Sequence, residues 1–177
     1  NAIIGNLLAE SGLNESINER GGGPGNGIAQ WTDKGRKKAV IDYINGIRAK
    51  QGKSKIDKIT DATFEEQVSA FLYNSTDGLK NSRLGRDTLK NMEKESDLRG
   101  KTAAFMDTWE RPWASGSFEK KFPDAPAGPK AKSRNEELTS RTRHSETASL
   151  VDGGDGSLLA RGVGAIVLAL SISYWVG

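Results

Sequence analysis

Apolar positions set out the first part of this chain as a series of short helices. Ile3, Ile4, Leu7 and Leu8 fall on one face at the i, i+1, i+4, i+5 rhythm, and the run breaks at Ser11-Gly12. Ala39, Val40, Tyr43, Ile44 and Ile47 outline a second helix. Thr63 and Glu66 have capping-box spacing ahead of a third, carried by Phe64, Val68, Phe71 and Leu72. Leu84, Leu89 and Met92 give a weaker fourth; Leu98, Phe105 and Trp109 give a fifth, ended by Pro112. Between the first two helices a polar stretch closes on Gly21-Gly22-Gly23-Pro24-Gly25-Asn26-Gly27. Such a run excludes helix and suits tight turns or a small hairpin. Nothing over 1–123 alternates as a long strand does. The pattern predicts a mainly α domain over 1–123 with a small Gly-rich hairpin lobe.

The pattern then changes twice. From 124 to 157, Pro126, Pro129, many Ser and Thr and mixed charges replace the apolar rhythm. This reads as a polar linker, with a short polar helix around Glu136 to Arg143. From Gly162 to Gly177 there is no charge over 16 residues. As a helix, that run is about 24 Å long at about 1.5 Å per residue. With Leu158 to Arg161 added, and Arg161 snorkelling, it approaches the length that spans a bilayer. Tyr174 and Trp175 suit an interfacial position. The segment 158–177 is expected to be a C-terminal apolar helix that either inserts into a membrane or packs on another domain or subunit. The chain starts with Asn already in helical register, with no basic leader and cleavage site ahead of it. It is expected to be cut from, or processed out of, a longer protein.

Composition narrows the chemistry. There is no Cys and one His, His144, which sits in a polar stretch. Thiol nucleophiles, Cys-rich metal sites and a Ser–His pair are therefore excluded, and no metal or organic cofactor is implied. Residues 1–123 carry 20 basic and 17 acidic side chains, and 124–177 carry 6 of each. The +3 excess on the front part is compatible with an anionic polymer but too small to imply direct nucleic-acid recognition.

The informative segment is Glu10-Ser11-Gly12, the Gly-rich loop, then Gly27-Ile28-Ala29-Gln30-Trp31-Thr32. Glu10 ends an apolar helix, where the helix dipole and a greasy face both disfavour its charged form. A carboxyl so placed is expected to keep its proton to higher pH, as a general acid must in order to protonate a glycosidic oxygen. The loop glycines, Gly27 among them, let backbone approach a ligand closely. Gln30 offers an amide for sugar hydroxyls, and Trp31 a ring face for stacking. Each feature also has a plainer reading: a solvated helix-end carboxylate, a flexible loop and a core indole.

In combination and order these stretches resemble the phage tail lysozyme family, the lysozyme-like domains of virion-associated peptidoglycan hydrolases. AIIGNLLAESGLN matches the family's helix ending in Glu-Ser-Gly, and GIAQW followed by Arg36 matches its second block. Gln67, Phe71 and Leu72, then Phe105, Trp109, Glu110, Arg111 and Pro112, match two further blocks, so the resemblance covers about residues 2–123.

The resemblance implies an α+β lysozyme-like fold, with Glu10 as catalytic acid and Gln30, Trp31 and Gly27 lining the saccharide groove. The activity implied is cleavage of the peptidoglycan backbone, by hydrolysis or as a lytic transglycosylase, during genome ejection. Asp33 and Glu19 flank the loop as candidates for the second carboxylate that a hydrolase needs. Glu110 and Arg111 are expected to form an internal ion pair. The implied partners are peptidoglycan, other virion or tail proteins in a larger assembly, and a membrane through 158–177. The alternative is a non-catalytic component of a tail or ejection channel, binding cell wall and touching membrane through that segment.

Overall fold

The computed structural model describes residues 1–19, 23–76, 78–110 and 134–151. The five helices expected over 1–123 form: α1 (Ala2–Ser11), α2 (Lys34–Lys50), α3 (Phe64–Tyr73), α4 (Arg83–Glu93) and α5 (Leu98–Phe105). A 3-10 turn, Ile59–Asp61, precedes α3, and a π-turn, Met106–Glu110, continues α5. A sixth helix, α6 (Arg134–Val151), packs against α1 and α5.

Local chemistry accounts for the helix boundaries. Asp33, Ser82 and Asp97 cap α2, α4 and α5 by accepting the N–H of the residue three further on. Thr63 and Glu66 close the expected capping box: Glu66 N–H donates to Thr63 Oγ1 at 3.3 Å, and Thr63 N–H to Glu66 Oε2 at 3.0 Å. Gly12 ends α1 at φ +64°, returning its N–H to Leu8.

The core lies where α1, α3 and α5 converge. Phe71, Phe105 and Trp109 form an aromatic cluster, with Phe71 edge-on to Trp109 at 5.2 Å between centroids. Ile4, Leu7, Ile28, Ile44 and Leu79 fill the space around it.

Two expectations change. The Gly-rich hairpin lobe reduces to two isolated bridges among the described residues, Asn18 with Asn26 and Asn26 with Trp31. A polar segment without alternating apolar side chains has no face to bury, so pairing does not propagate into strands. The second change falls in the span read as a linker. Over 134–151 it is a helix of 18 residues, longer than the one expected, and Leu138, Arg141, Thr142, Ser145 and Ala148 are buried. Its inward stripe is mostly small and polar, which is why a search for apolar rhythm passes over it. Gly5 makes the close approach possible: a Cβ there would stand 2.5 Å from the backbone nitrogen of Ser145. Residues 124–133 and the apolar segment 158–177 lie outside the described residues. No helix among the described residues is long and apolar enough to cross a membrane.

One ion pair joins α2 to α3. Arg48 grips Glu66 with Nε on Oε1 at 2.9 Å and Nη2 on Oε2 at 3.0 Å. Burial pushes the Glu66 carboxyl up. The Arg48 hydrogen bonds, the Thr63 N–H and the charges of Arg48 and Lys53 outweigh burial and hold it below its ordinary value of 4.5.

Two outcomes follow. Glu66 stays charged in the fold where the unfolded chain already takes up a proton. Its stabilisation is therefore complete above the unfolded pKa and is lost as pH falls through the lower folded value. Glu66→Gln is expected to cost on the order of 3 kcal/mol near neutral pH. In urea titrations across pH, the gap from wild type should narrow as the medium is acidified below about pH 4. Gly5→Ala should destabilise by about 2 kcal/mol through forced separation of α1 and α6; an unchanged melting temperature would contradict the packing of α6.

Candidate active site

The last turn of α1 forms one wall of a cleft of about 550 Å³. Ile17, Glu19, Ala29, Gln30 and Thr32 of the following loop, the first turn of α2, the π-turn and α6 complete it. Glu10, Glu19, Gln30, Arg36, Trp109 and His144 all line it.

Glu10 is placed there by what surrounds it. Ser11, next along, is buried and ties the helix end to the loop. Its Oγ lies 2.7 Å from the Ile28 carbonyl oxygen and 3.0 Å from that of Leu7, and it accepts the Leu13 N–H at 3.1 Å. From the other side Gln67, fully buried on α3, takes the Ile28 N–H on Oε1 at 3.0 Å. Gln67 Nε2 donates to the carbonyls of Glu15 at 2.8 Å and Ile59 at 2.9 Å. Side chains of α1 and α3 thus hold the loop that faces Glu10, together with backbone bonds inside it: Glu19 N–H to the Gly25 carbonyl, Gly27 N–H to that of Ile17, and Asn26 paired with Trp31 in both directions. The Glu10 carboxylate itself pairs through Oε1 with Nη2 of Arg141 on α6, and its side chain remains 26% exposed.

The other expected residues divide. Gln30 lines the cleft in a left-handed conformation, φ +46°, with Nε2 donating to the Gly27 carbonyl at 2.9 Å. A non-glycine residue held there is strained, and such strain concentrates where side chains must be aimed. Trp31 is corrected: its ring is 1% exposed, buried in the core, and presents no face to the cleft. Its apolar area is worth more against Ile28 and the helices than in water. Gly27 does not line the cleft either. It turns at φ +70°, and a Cβ there would meet Gln67 Oε1 at 2.3 Å, so it permits the close approach of the Gln67 amide.

The two candidate second carboxylates separate in the same way. Asp33 is exposed and spent as the α2 cap, accepting the Arg36 N–H at 3.0 Å. Glu19 lines the cleft and accepts the Gly25 N–H on Oε2 at 2.8 Å. The side chain of Glu110, and all of Arg111, lie outside the described residues.

Three cleft residues carried no function in the sequence reading. Arg36 was noted there only as a motif position; its guanidinium stands 5.5 Å from the Trp109 ring centroid, a cation–π contact at the cleft wall. Trp109 stands in the sequence as an apolar position of the fifth helix and of a family block, and His144 as part of a polar stretch. No local signal marks His144, because α6 brings it to the cleft from more than a hundred residues away. Among the described residues no group of three or more His, Asp or Glu is placed to hold a metal ion.

The phage tail lysozyme family matches residues 1–128. The chain belongs to that family. Membership carries a peptidoglycan-lytic role and a virion-associated, tail-assembly setting. No curated protein and no solved structure matches the chain. The match ends before α6, so the residues that bring His144 to the cleft and Arg141 to Glu10 lie outside the part that matches the family.

The clamp on Ile28 can be tested. Gln67→Ala removes partners from the Ile28 N–H and from the carbonyls of Glu15, Ile59 and Ala62, and is expected to cost on the order of 3 kcal/mol in urea denaturation.

Proposed function

We propose that this protein cleaves the glycan backbone of peptidoglycan between N-acetylmuramic acid and N-acetylglucosamine, with Glu10 as the general acid. The observation that carries the reading is the place of Glu10: a partly exposed carboxylate on the wall of the cleft, at a helix end tied down through Ser11. A sugar seated in the cleft would present its glycosidic oxygen to Glu10. Proton donation to that oxygen lets the leaving sugar depart as the ring carbon gains oxocarbenium character. Gln30, aimed from the loop, supplies amide contacts to sugar hydroxyls.

The second half of the reaction has two routes. In hydrolysis, Glu19 assists water at the ring carbon. In the transglycosylase route, Glu10 takes the proton back from the sugar's own hydroxyl, which closes a 1,6-anhydro ring. The engagement of Glu19 with Gly25 N–H, and of Asp33 with its helix, favours the route that needs one carboxylate. The setting proposed is a phage particle that opens the wall locally during genome ejection, with 158–177 contacting membrane or neighbouring subunits.

Zymography on purified cell walls tests this. Glu10→Gln should lower clearing by about a thousand-fold, within the range that a positioned general acid contributes. Equal clearing by wild type and variant would sink the assignment of Glu10. Mass spectrometry of the released muropeptides should then show 1,6-anhydro ends; reducing ends would instead assign hydrolysis.

A further inference from the structure

α6 buries an arginine, and that arginine points at Glu10. The Arg141 side chain is 5% exposed, and an unpaired cation so deep in the protein would be costly. The fold pairs it from several directions. Nε donates to Glu137 Oε1 at 2.8 Å, one turn back on α6. Nη1 donates to Asn6 Oδ1 at 3.3 Å, and Asn6 is itself fully buried on α1, with Nδ2 donating to the Ala2 carbonyl at 2.8 Å. Nη2 donates to Glu10 Oε1. The helix carrying the fork is fixed as well: Ser145 sits against Gly5, its hydroxyl lies 3.2 Å from that of Thr102, and Ala148 is in the core.

A guanidinium donates hydrogen bonds, accepts none and keeps its proton. The Glu10 oxygen in its grip is therefore always an acceptor. Any proton that Glu10 carries must sit on Oε2. Glu137 matters as well. It engages Nε from the α6 side, so the guanidinium has a second carboxylate partner that is independent of Glu10. The other charged or titratable groups on the cleft wall are Glu19 of the loop, Arg36 of α2 and His144 of α6.

We propose that Arg141 is a positioning residue for the reaction: buried on α6 and braced by Glu137 and Asn6, it fixes the Glu10 carboxylate through Oε1 and reserves Oε2 for the proton transferred to the glycosidic oxygen. The working domain then runs through α6, past the 128 residues that match the family. The proposal rests on the reading of Glu10 as the acid.

The test uses steady-state kinetics of the full chain on soluble glycan strands prepared from peptidoglycan, with melting temperatures recorded for every variant. Arg141→Gln should lower kcat by about a hundred-fold, the scale of a misplaced catalytic group, with KM within about two-fold of wild type. Arg141→Lys restores the charge without the fork and should recover about ten-fold of that loss. Arg141→Gln added to Glu10→Gln should cost nothing more, since both act on one proton transfer.

If Arg141→Gln does not fold, Glu137→Gln decides. It leaves Glu10 and the cleft untouched, and should lower kcat by about five-fold at unchanged KM through a loosened fork. A folded Arg141→Gln with wild-type kcat, a further loss in the double variant, or wild-type kcat in Glu137→Gln would overturn the proposal. If Glu10→Gln alone is fully active, the reading of Glu10 fails and the positioning role fails with it. If Glu10→Gln is inactive while Arg141→Gln is not, only the role of Arg141 fails.

Discussion

Both backbone polar groups of Ile28 are taken by buried side chains, its N–H by Gln67 and its carbonyl by Ser11. Much of the structure depends on that clamp. Among the described residues of this loop the backbone pairs through isolated bridges and short turns, so the polar backbone groups of buried Ile28 must find partners elsewhere. Gln67 supplies them from α3 and at the same time binds the carbonyls of Glu15 and Ile59. Ser11 supplies them from α1, one residue from Glu10. One residue of loop thus joins the helix that bears the acid to the helix that carries much of the core. Gly27 is the glycine that lets the Gln67 amide come close enough.

The second constraint is the surroundings of α1. A helix apolar on much of its surface must be covered on more than one side. α5 and the aromatic cluster cover part of it, and α6 covers the rest. The crossing at Gly5 and Ser145 is close because the residues there are small, and the Ser145 hydroxyl finds its partners in the Arg141 carbonyl of its own helix and the Thr102 hydroxyl of α5. Covering α1 also brings a cation to its C-terminal end, the negative end of the helix dipole, where Arg141 meets Glu10. Packing and site electrostatics therefore come from the same helix.

Much of the fold over the first 110 residues was legible. The helices read from Ile3 to Leu8, from Ala39 to Ile47 and after Thr63 form where the rhythm and the capping box put them, because those signals act over three or four residues. The hairpin is not legible in the same way: glycine and proline announce a turn but do not say whether strands leave it. Trp31 was misplaced because a tryptophan between a polar loop and a helix carries no local mark of which way its ring faces. α6 was seen only as a short polar helix. Its buried stripe of Thr142, Ser145 and Ala148 is inward because Gly5 and Thr102 make room and partners for it.

By itself the sequence determined the helix ends, the kind of chemistry left open by one His and no Cys, and, through the ordered blocks from Glu-Ser-Gly onward, the family. These are properties of neighbouring residues and of residue type, and they need no knowledge of what packs on what. Only the tertiary structure decided that Gln67 and Ser11 share the backbone of Ile28, that Trp31 is core, that Glu19 rather than Asp33 reaches the cleft, and that Arg141 stands against Glu10. Each of those joins positions far apart in the chain. Their meeting is settled by which faces must be buried together, and by the cost of leaving a buried charge or N–H without a partner.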